Sequence, residues 1–404
     1  MTDPELIELF LRFSSAHHVG QRRQIVERNP ELLSARMSEL IAAKAAAFRR
    51  RGFGDGADAM ERAVDFFGRC RRDGVDAAFA QDHANLSRRI RQELDALLEW
   101  LQRSPSTRRD EEAIYARCEA LESQDLPPQD RCVVRLAKAC LGVDTARRTA
   151  SLPMALSFHS ELEQLVALLS PGTDLHWQAC ERIAASLAFL FDLEQAPARV
   201  DALDRWMEAL ESEDHPRERW LGLVELHAGF AHANRYKRIG QESDLFQARA
   251  LTQQAASRGL DPIDAWNADN LLATVFLQLH ERRGPPSDLD AAIEHGERAW
   301  ARAPEEGYRH RAVIHLAAAL CARYRKDNDA SALNRAIEVQ RGSLAFLATG
   351  SAEWCAMAHN LATSQRLRGD DELDEALRLH DRAVKATAES DPQFALYAGG
   401  LANA

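Results

Sequence analysis

Apolar residues recur at i, i+3, i+4 and i+7 along nearly the whole chain. That spacing gathers them on one face of a helix. Strand-like alternation is absent, and proline falls mostly where a helix would begin. The motifs "DPEL" at Asp3–Leu6 and "NPEL" at Asn29–Leu32 share one form, and Asp261-Pro262 and Asp391-Pro392 repeat it. An Asp or Asn there can accept from the first free N–H groups, and proline fits the first turn. The predicted fold is all-α.

Four segments align without gaps, led by Leu245, Leu289, Leu333 and Leu373 at spacings of 44, 44 and 40. Each carries Ala three residues on (Ala248, Ala292, Ala336, Ala376) and another small residue seven further (Ala255, Ala299, Ser343, Ala383). A second helix type lies between them. It carries Leu272-Ala273, Leu316-Ala317, Leu361-Ala362 and Leu401-Ala402, with Ala228-Gly229 one period earlier. Small residues at fixed positions let paired helices approach closely, while large ones fill the space between pairs. A two-helix unit cannot bury both its faces alone, so stacking into a superhelical solenoid is expected. The last Leu-Ala pair predicts that "FALYAGGLANA" is a first helix whose partner would follow Ala404. On this reading the chain stops inside a unit, and a functional remainder lies beyond it.

Three regions follow from the pattern: a helical leader at 1–81, degenerate helix pairs at 82–215 and regular repeats at 216–404. Candidate breaks are Ser104–Asp110 and Ser123–Asp130.

The repeat resembles the tetratricopeptide repeat (TPR). "AIEHGERAWARAP" is similar to its second helix, and "NLATSQRLRGD" (Asn360–Asp370) to its first helix and turn. The units are longer than the family's, with most of the excess in turns such as "RYRKDNDASAL". The leader, "RRQIVERNPELLS" (Arg22–Ser34) followed by "AMERAVDFFGRCRRDGVDAAFAQ" (Ala59–Gln81), resembles the helical start of bacterial proteins that join such repeats to a caspase-like CHAT peptidase domain. The resemblance implies a non-catalytic, regulatory module that senses a protein or peptide partner or restrains the peptidase. A freestanding adaptor or scaffold is the alternative. An Arg-rich nucleic-acid-binding protein is a third reading.

Charge bears on that third reading. Of the 404 residues, 51 are basic and 62 acidic, a net charge of −11. Up to Asp110 there are 19 basic and 17 acidic residues, so the remainder holds 32 against 45, or −13. An acidic C-terminal part argues against a nucleic-acid footprint there. The seven cysteines include no CxxC pair and read as small buried hydrophobes in a reducing, cytoplasmic setting. No apolar run reaches the length of a membrane span.

No catalytic constellation emerges. A peptidase would need a His-Gly and, later, a nucleophile Cys, each at a strand end. His295-Gly296 and Cys140 occur in the reverse order and in helical context. No cofactor or metal is expected. His227 and His232 are five residues apart, His17-His18 reads as a surface pair, and Cys132 and Cys140 lack further ligands at metal spacing. "GFGDG" (Gly52–Gly56) reads as a turn, and Arg49-Arg50-Arg51 as a helix end, where positive charge is favoured. In a stack of this kind the first helices line a concave groove. Positions two before and two or five either side of the repeated Leu nominate Asn267, Asn270, Thr274, Arg311, His359, Thr363 and Arg366. Polar residues in a groove suit recognition of an extended or helical peptide.

Overall fold

The computed structural model describes residues 2–15, 19–51, 54–103, 110–124, 126–213, 217–282, 284–304, 306–369, 372–388, 391 and 393–402. His17, His18, Gly52, Phe53, Pro392 and the greater part of the candidate break at 104–110 lie outside them, as does Asp125 of the second break. The described residues are helical throughout, with no strand. They divide into two compact units, Met1–Ala96 and Leu97–Ala404.

The first unit contains α1 (Asp3–Ser15), α2 (Val19–Arg28), a 3₁₀ turn (Pro30–Leu33), α3 (Ala35–Arg50), α4 (Gly54–Asp73) and most of α5 (Val75–Gln102). Its core is aromatic. Phe13 lies 5.0 Å from Phe67, and Phe66 meets Phe79 edge-on at 4.8 Å. The "NPEL" motif behaves differently from the expected cap. Asn29 turns back and donates its amide to the Ile25 carbonyl at the end of α2, at 2.7 Å. A single 3₁₀ turn then buries Leu32 completely. The cap passes to Ser34, whose hydroxyl accepts from Met37 N at 3.1 Å and starts α3. Asp261 does act as predicted, accepting from the Ile263 and Asp264 N–H groups at 3.1 Å each.

In the second unit α6 (Glu111–Glu122) packs on α7 (Pro128–Thr149), and helix pairs follow in order. They are α7 with α8 (Leu152–Leu168), α9 (Asp174–Glu194) with α10 (Ala198–Glu211), and α11 (Glu218–Ile239) with α12 (Glu242–Ser257). Then come α13 (Pro262–Glu281) with α14 (Pro286–Arg302), α15 (Glu306–Asp327) with α16 (Ala330–Leu344), and α17 (Ala352–Arg368) with α18 (Leu373–Ala386). A last helix, α19 (Phe394–Ala402), packs on α18 and α17. Each second helix also touches the first helix of the next pair, and successive first helices touch one another.

The backbone carries the period further back than the side-chain code does. The helices α7, α9, α11 and α15 are followed by left-handed residues: Ala150, Gln195, Gly240 and Asn328. Their spacings are 45, 45 and twice 44. Each N–H bonds the carbonyl four residues earlier, closing the helix end in the same way. Helix pairs of the 44-residue kind therefore begin at α7.

The small residues sit where the helices of a pair meet. Ala248, Ala292, Ala336 and Ala376 are fully buried. At Gly229, an added Cβ would lie 2.5 Å from the Thr252 hydroxyl, which is itself fully buried and bonded to Ala248 O. Gly229→Ala gains helix propensity but must displace Thr252. The net expectation is a loss of about 1–2 kcal/mol in urea unfolding. Adding Thr252→Ala relieves the clash, so the double variant should lose less than the two single losses combined. Strict additivity would show that the two side chains do not compete.

Charged braces recur at the same period. Glu225 on α11 is fully buried and receives the Arg258 guanidinium at 2.9 Å. Forty-four residues on, Asp269 on α13 receives Arg302 at 2.8 Å, together with His295 and Arg298 from α14. Glu181 on α9, forty-four residues before Glu225, is likewise fully buried.

Candidate functional site

Where α7, α9, α11 and α13 lie side by side, they enclose an open cavity of about 290 Å³. On α11 its wall is Leu223, Leu226, His227, Phe230, Ala231 and Asn234. These lie at −5, −2, −1, +2, +3 and +6 from Ala228, so one helical stripe faces the cavity. The polar part of the wall is Asp144 and Arg147 from α7, Asp192 from α9, His227 and Asn234 from α11, and Asp264 and Asn267 from α13.

A buried charge network supports this wall. Arg182 on α9 is fully buried, pairs with the Asp144 carboxylate and donates to the Cys140 carbonyl at 3.1 Å. Burial disfavours its charge, but Asp144 and Glu181 more than offset this and hold it firmly protonated. Glu181 accepts from His227 Nε2 at 2.9 Å, which fixes the imidazole against the cavity edge. Asp192 accepts from the Asn234 amide at 3.0 Å. Burial raises its pKa against the opposing pull of Arg238 and Asn234. Arg147 remains open to solvent, with its guanidinium 5.8 Å from the Phe189 ring. Its surroundings and the nearby Arg182 charge lower its pKa, while Asp144, Glu181 and Asp192 oppose that shift.

The sequence candidates fall in three places. Asn267 lines the cavity, its amide 3.5 Å from Asp264 Oδ1. Asn270 and Thr274 follow it on α13. Asn270 Oδ1 is buried without a hydrogen-bond partner, and the Thr274 hydroxyl donates to Asn270 O at 3.0 Å. Thr274 is only 6% exposed, so it has little surface to offer a ligand. Arg311 is exposed on α15, apart from the others. His359, Thr363 and Arg366 share α17, where the Thr363 hydroxyl donates to His359 O at 2.9 Å. The His359 ring lies 5.0 Å from His380 and 5.3 Å from Tyr397. Burial first, and Arg366 second, push its pKa down.

The cavity also contains residues the sequence reading did not nominate: Arg147, Asp192, His227 and Asn234. One period back, the α13 stripe of Asn267, Asn270 and Thr274 falls on Leu223, Leu226 and Phe230, so it does not point to His227 or Asn234. Arg147 and Asp192 carry no repeat signal, because they precede the regular units.

Cys140 is fully buried within α7, and His295 sits mid-helix in α14 with Nδ1 2.9 Å from Asp269 Oδ1. Six of the seven cysteines are buried. Among the described residues no three His, Cys, Asp or Glu side chains are grouped to hold a metal ion. No described helix is long and apolar enough to cross a membrane. No protein-family model matches the chain, and no curated protein matches it with significant similarity.

Proposed function

We propose that this chain is a non-catalytic protein-interaction and regulatory module. In this reading the helix pairs form a tetratricopeptide-like superhelix, and the face built from the first helices binds an extended segment of a partner protein. The observation that carries the reading is the cavity between α7, α9, α11 and α13. It combines apolar Leu223, Leu226 and Phe230 with Asn234, Asn267 and Arg147 in one open wall. Asparagine amides can pair with a peptide backbone, the apolar residues can take side chains, and Arg147 can take an acidic group. From the resemblance of the leader and repeats to the start of CHAT proteins we take the further reading that partner binding controls cleavage by a caspase-like peptidase domain. No cofactor enters this function.

The test is a peptide array probed with the purified chain, followed by titration of the peptides that bind. Asn234→Ala with Asn267→Ala is expected to weaken binding at least about tenfold, the scale of one or two lost hydrogen bonds. Changing Asn270, Arg311 and Arg366 together tells whether the ligand also runs along α13, α15 and α17. Affinity that survives both sets of substitutions would remove this face from consideration. The regulatory reading further expects no peptide hydrolysis by this chain, and hydrolysis abolished by Cys140→Ala would defeat it.

A further inference from the structure

A groove of about 510 Å³ lies between α8 and α10, over α9, within the size range of small-molecule sites. Its α9 residues, Ile183 and Leu187, lie about half a turn from Ala188 and Asp192 of the first cavity. The groove therefore opens on the opposite side of that helix. Ile183 and Leu187 close its bottom. Its walls are Val166 and Ala167 from α8 and Ala202 and Trp206 from α10, none of them buried. The Trp206 indole N–H is committed to the Cys180 carbonyl at 3.2 Å, which fixes the ring.

His159 and Glu163 from α8 also line the groove. The Ser186 hydroxyl donates to the Ile183 carbonyl at 2.8 Å. It has one proton, so in the 2.6 Å contact between Ser186 Oγ and His159 Nδ1 the imidazole is the donor. Burial lowers the His159 pKa, against Glu163 and with Arg199, so above pH 6.5 the ring is mostly neutral. Its Nε2 then carries a lone pair. Glu163 Oε1 lies 3.6 Å from that nitrogen, beyond hydrogen-bond length, and the Glu163 side chain is 62% exposed. Two acceptors thus converge with no donor between them. Arg199 lines the same groove, but Glu194 holds its guanidinium through two bonds, at 2.7 and 3.0 Å. Arg205 is exposed and lies six residues further along α10, about 9 Å away.

We propose that this groove binds a primary amine with an apolar body, in its ammonium form. One N–H of the ammonium reaches His159 Nε2 and another reaches the Glu163 carboxylate. The apolar body lies along Val166, Ala202 and Trp206. A hydroxyl has one proton, so it would satisfy only one of the two acceptors and leave the Glu163 charge unanswered. A carboxylate placed there would meet two acceptors and no donor. Arg205, toward the other end, repels a second ammonium, which favours a monoamine over a diamine.

The experiment is calorimetric titration of the whole chain, slightly above neutral pH, with hexylamine, hexanoate and diaminohexane, repeated with Glu163→Gln. Glu163 is exposed, so the variant is expected to keep its fold, which its melting curve without ligand checks. The expected result is saturable binding of hexylamine, about tenfold weaker in Glu163→Gln, the scale of one charge-assisted hydrogen bond. Hexanoate and diaminohexane are expected to bind more weakly than hexylamine. The proposal is overturned if hexylamine does not bind or if Glu163→Gln leaves its affinity unchanged. It is also overturned if hexanoate binds as tightly, since the arginines then select the ligand, or if diaminohexane does, since the far end then accepts a cation.

Discussion

Replacing Arg182 by Met is expected to destabilise the protein by about 3 kcal/mol, because it breaks a buried ion pair and strands its partners. Arg182 is fully buried, and the Asp144 side chain with which it pairs is 17% exposed. Glu181, also fully buried, depends on the same positive charge. Methionine fills much of the volume but leaves both carboxylates without the guanidinium. Exchanging both members, Arg182→Met with Asp144→Leu, removes one of the stranded charges and is expected to recover much of the loss. Chemical denaturation of the two single variants and the double variant gives the coupling directly. A coupling near zero would mean that the pair contributes shape rather than charge, and the network under the cavity would need another explanation. Because Asp144 and His227 are held by this network, Arg182→Met should also weaken any ligand of the cavity.

Acid is expected to loosen the last helices. His380 on α18 is fully buried, and neither ring nitrogen has a hydrogen-bond partner. Gly400 of α19 closes over it so tightly that an added Cβ would lie 2.6 Å from His380 Cε1. Burial, then the neighbouring His359 and Arg366, push the His380 pKa down to about 4. His359 is shifted in the same direction, by burial and by Arg366. With the folded pKa below the ordinary value of 6.5, the unfolded state takes up the proton first. The stabilisation is therefore complete above pH 6.5 and is lost as pH falls toward 4, on the order of 2–3 kcal/mol for His380. Hydrogen exchange of the α18 and α19 amides between these pH values is the measurement, with His380→Phe as the variant that should reduce the dependence to the share carried by His359. Full protection of α19 at pH 4 would sink the prediction. His232 on α11 has the opposite sign. Burial opposes its charge, but hydrogen bonds to Asp204 and Asp244 win and raise its pKa. Its contribution is present at acid pH and fades as pH rises, so a local readout at α19 is needed to separate the two.

How much of this was legible in the chain differs along its length. Between α11 and α18 the Leu-x-x-Ala and Leu-Ala signatures mark helix contacts, because close packing admits only small residues there. The same period runs back through α9 and α7, but its side chains disguise it. Glu181 and Arg182 occupy stripe positions where later units carry Glu225 and Asp269, or Leu226 and Asn270. The left-handed helix ends at Ala150 and Gln195 lack the glycine that would announce them. At "NPEL" a correct motif had the wrong partner, since Asn29 satisfies the carbonyl behind it and not the N–H groups ahead.

The sequence by itself determined the helices and their pairing. These depend on neighbours within a few turns or one period, so composition and spacing carry them. Only the tertiary structure decided which uncovered side chains meet. Asp144, Asp192, Asn234 and Asn267 come from four helices spread over more than a hundred residues, and no local rule relates them. The exposed-polar reading also failed to separate residues that spend their hydroxyls on their own helix, such as Thr274 and Thr363, from those that face open space. Burial and hydrogen bonding settle that distinction, and both are properties of the packed chain.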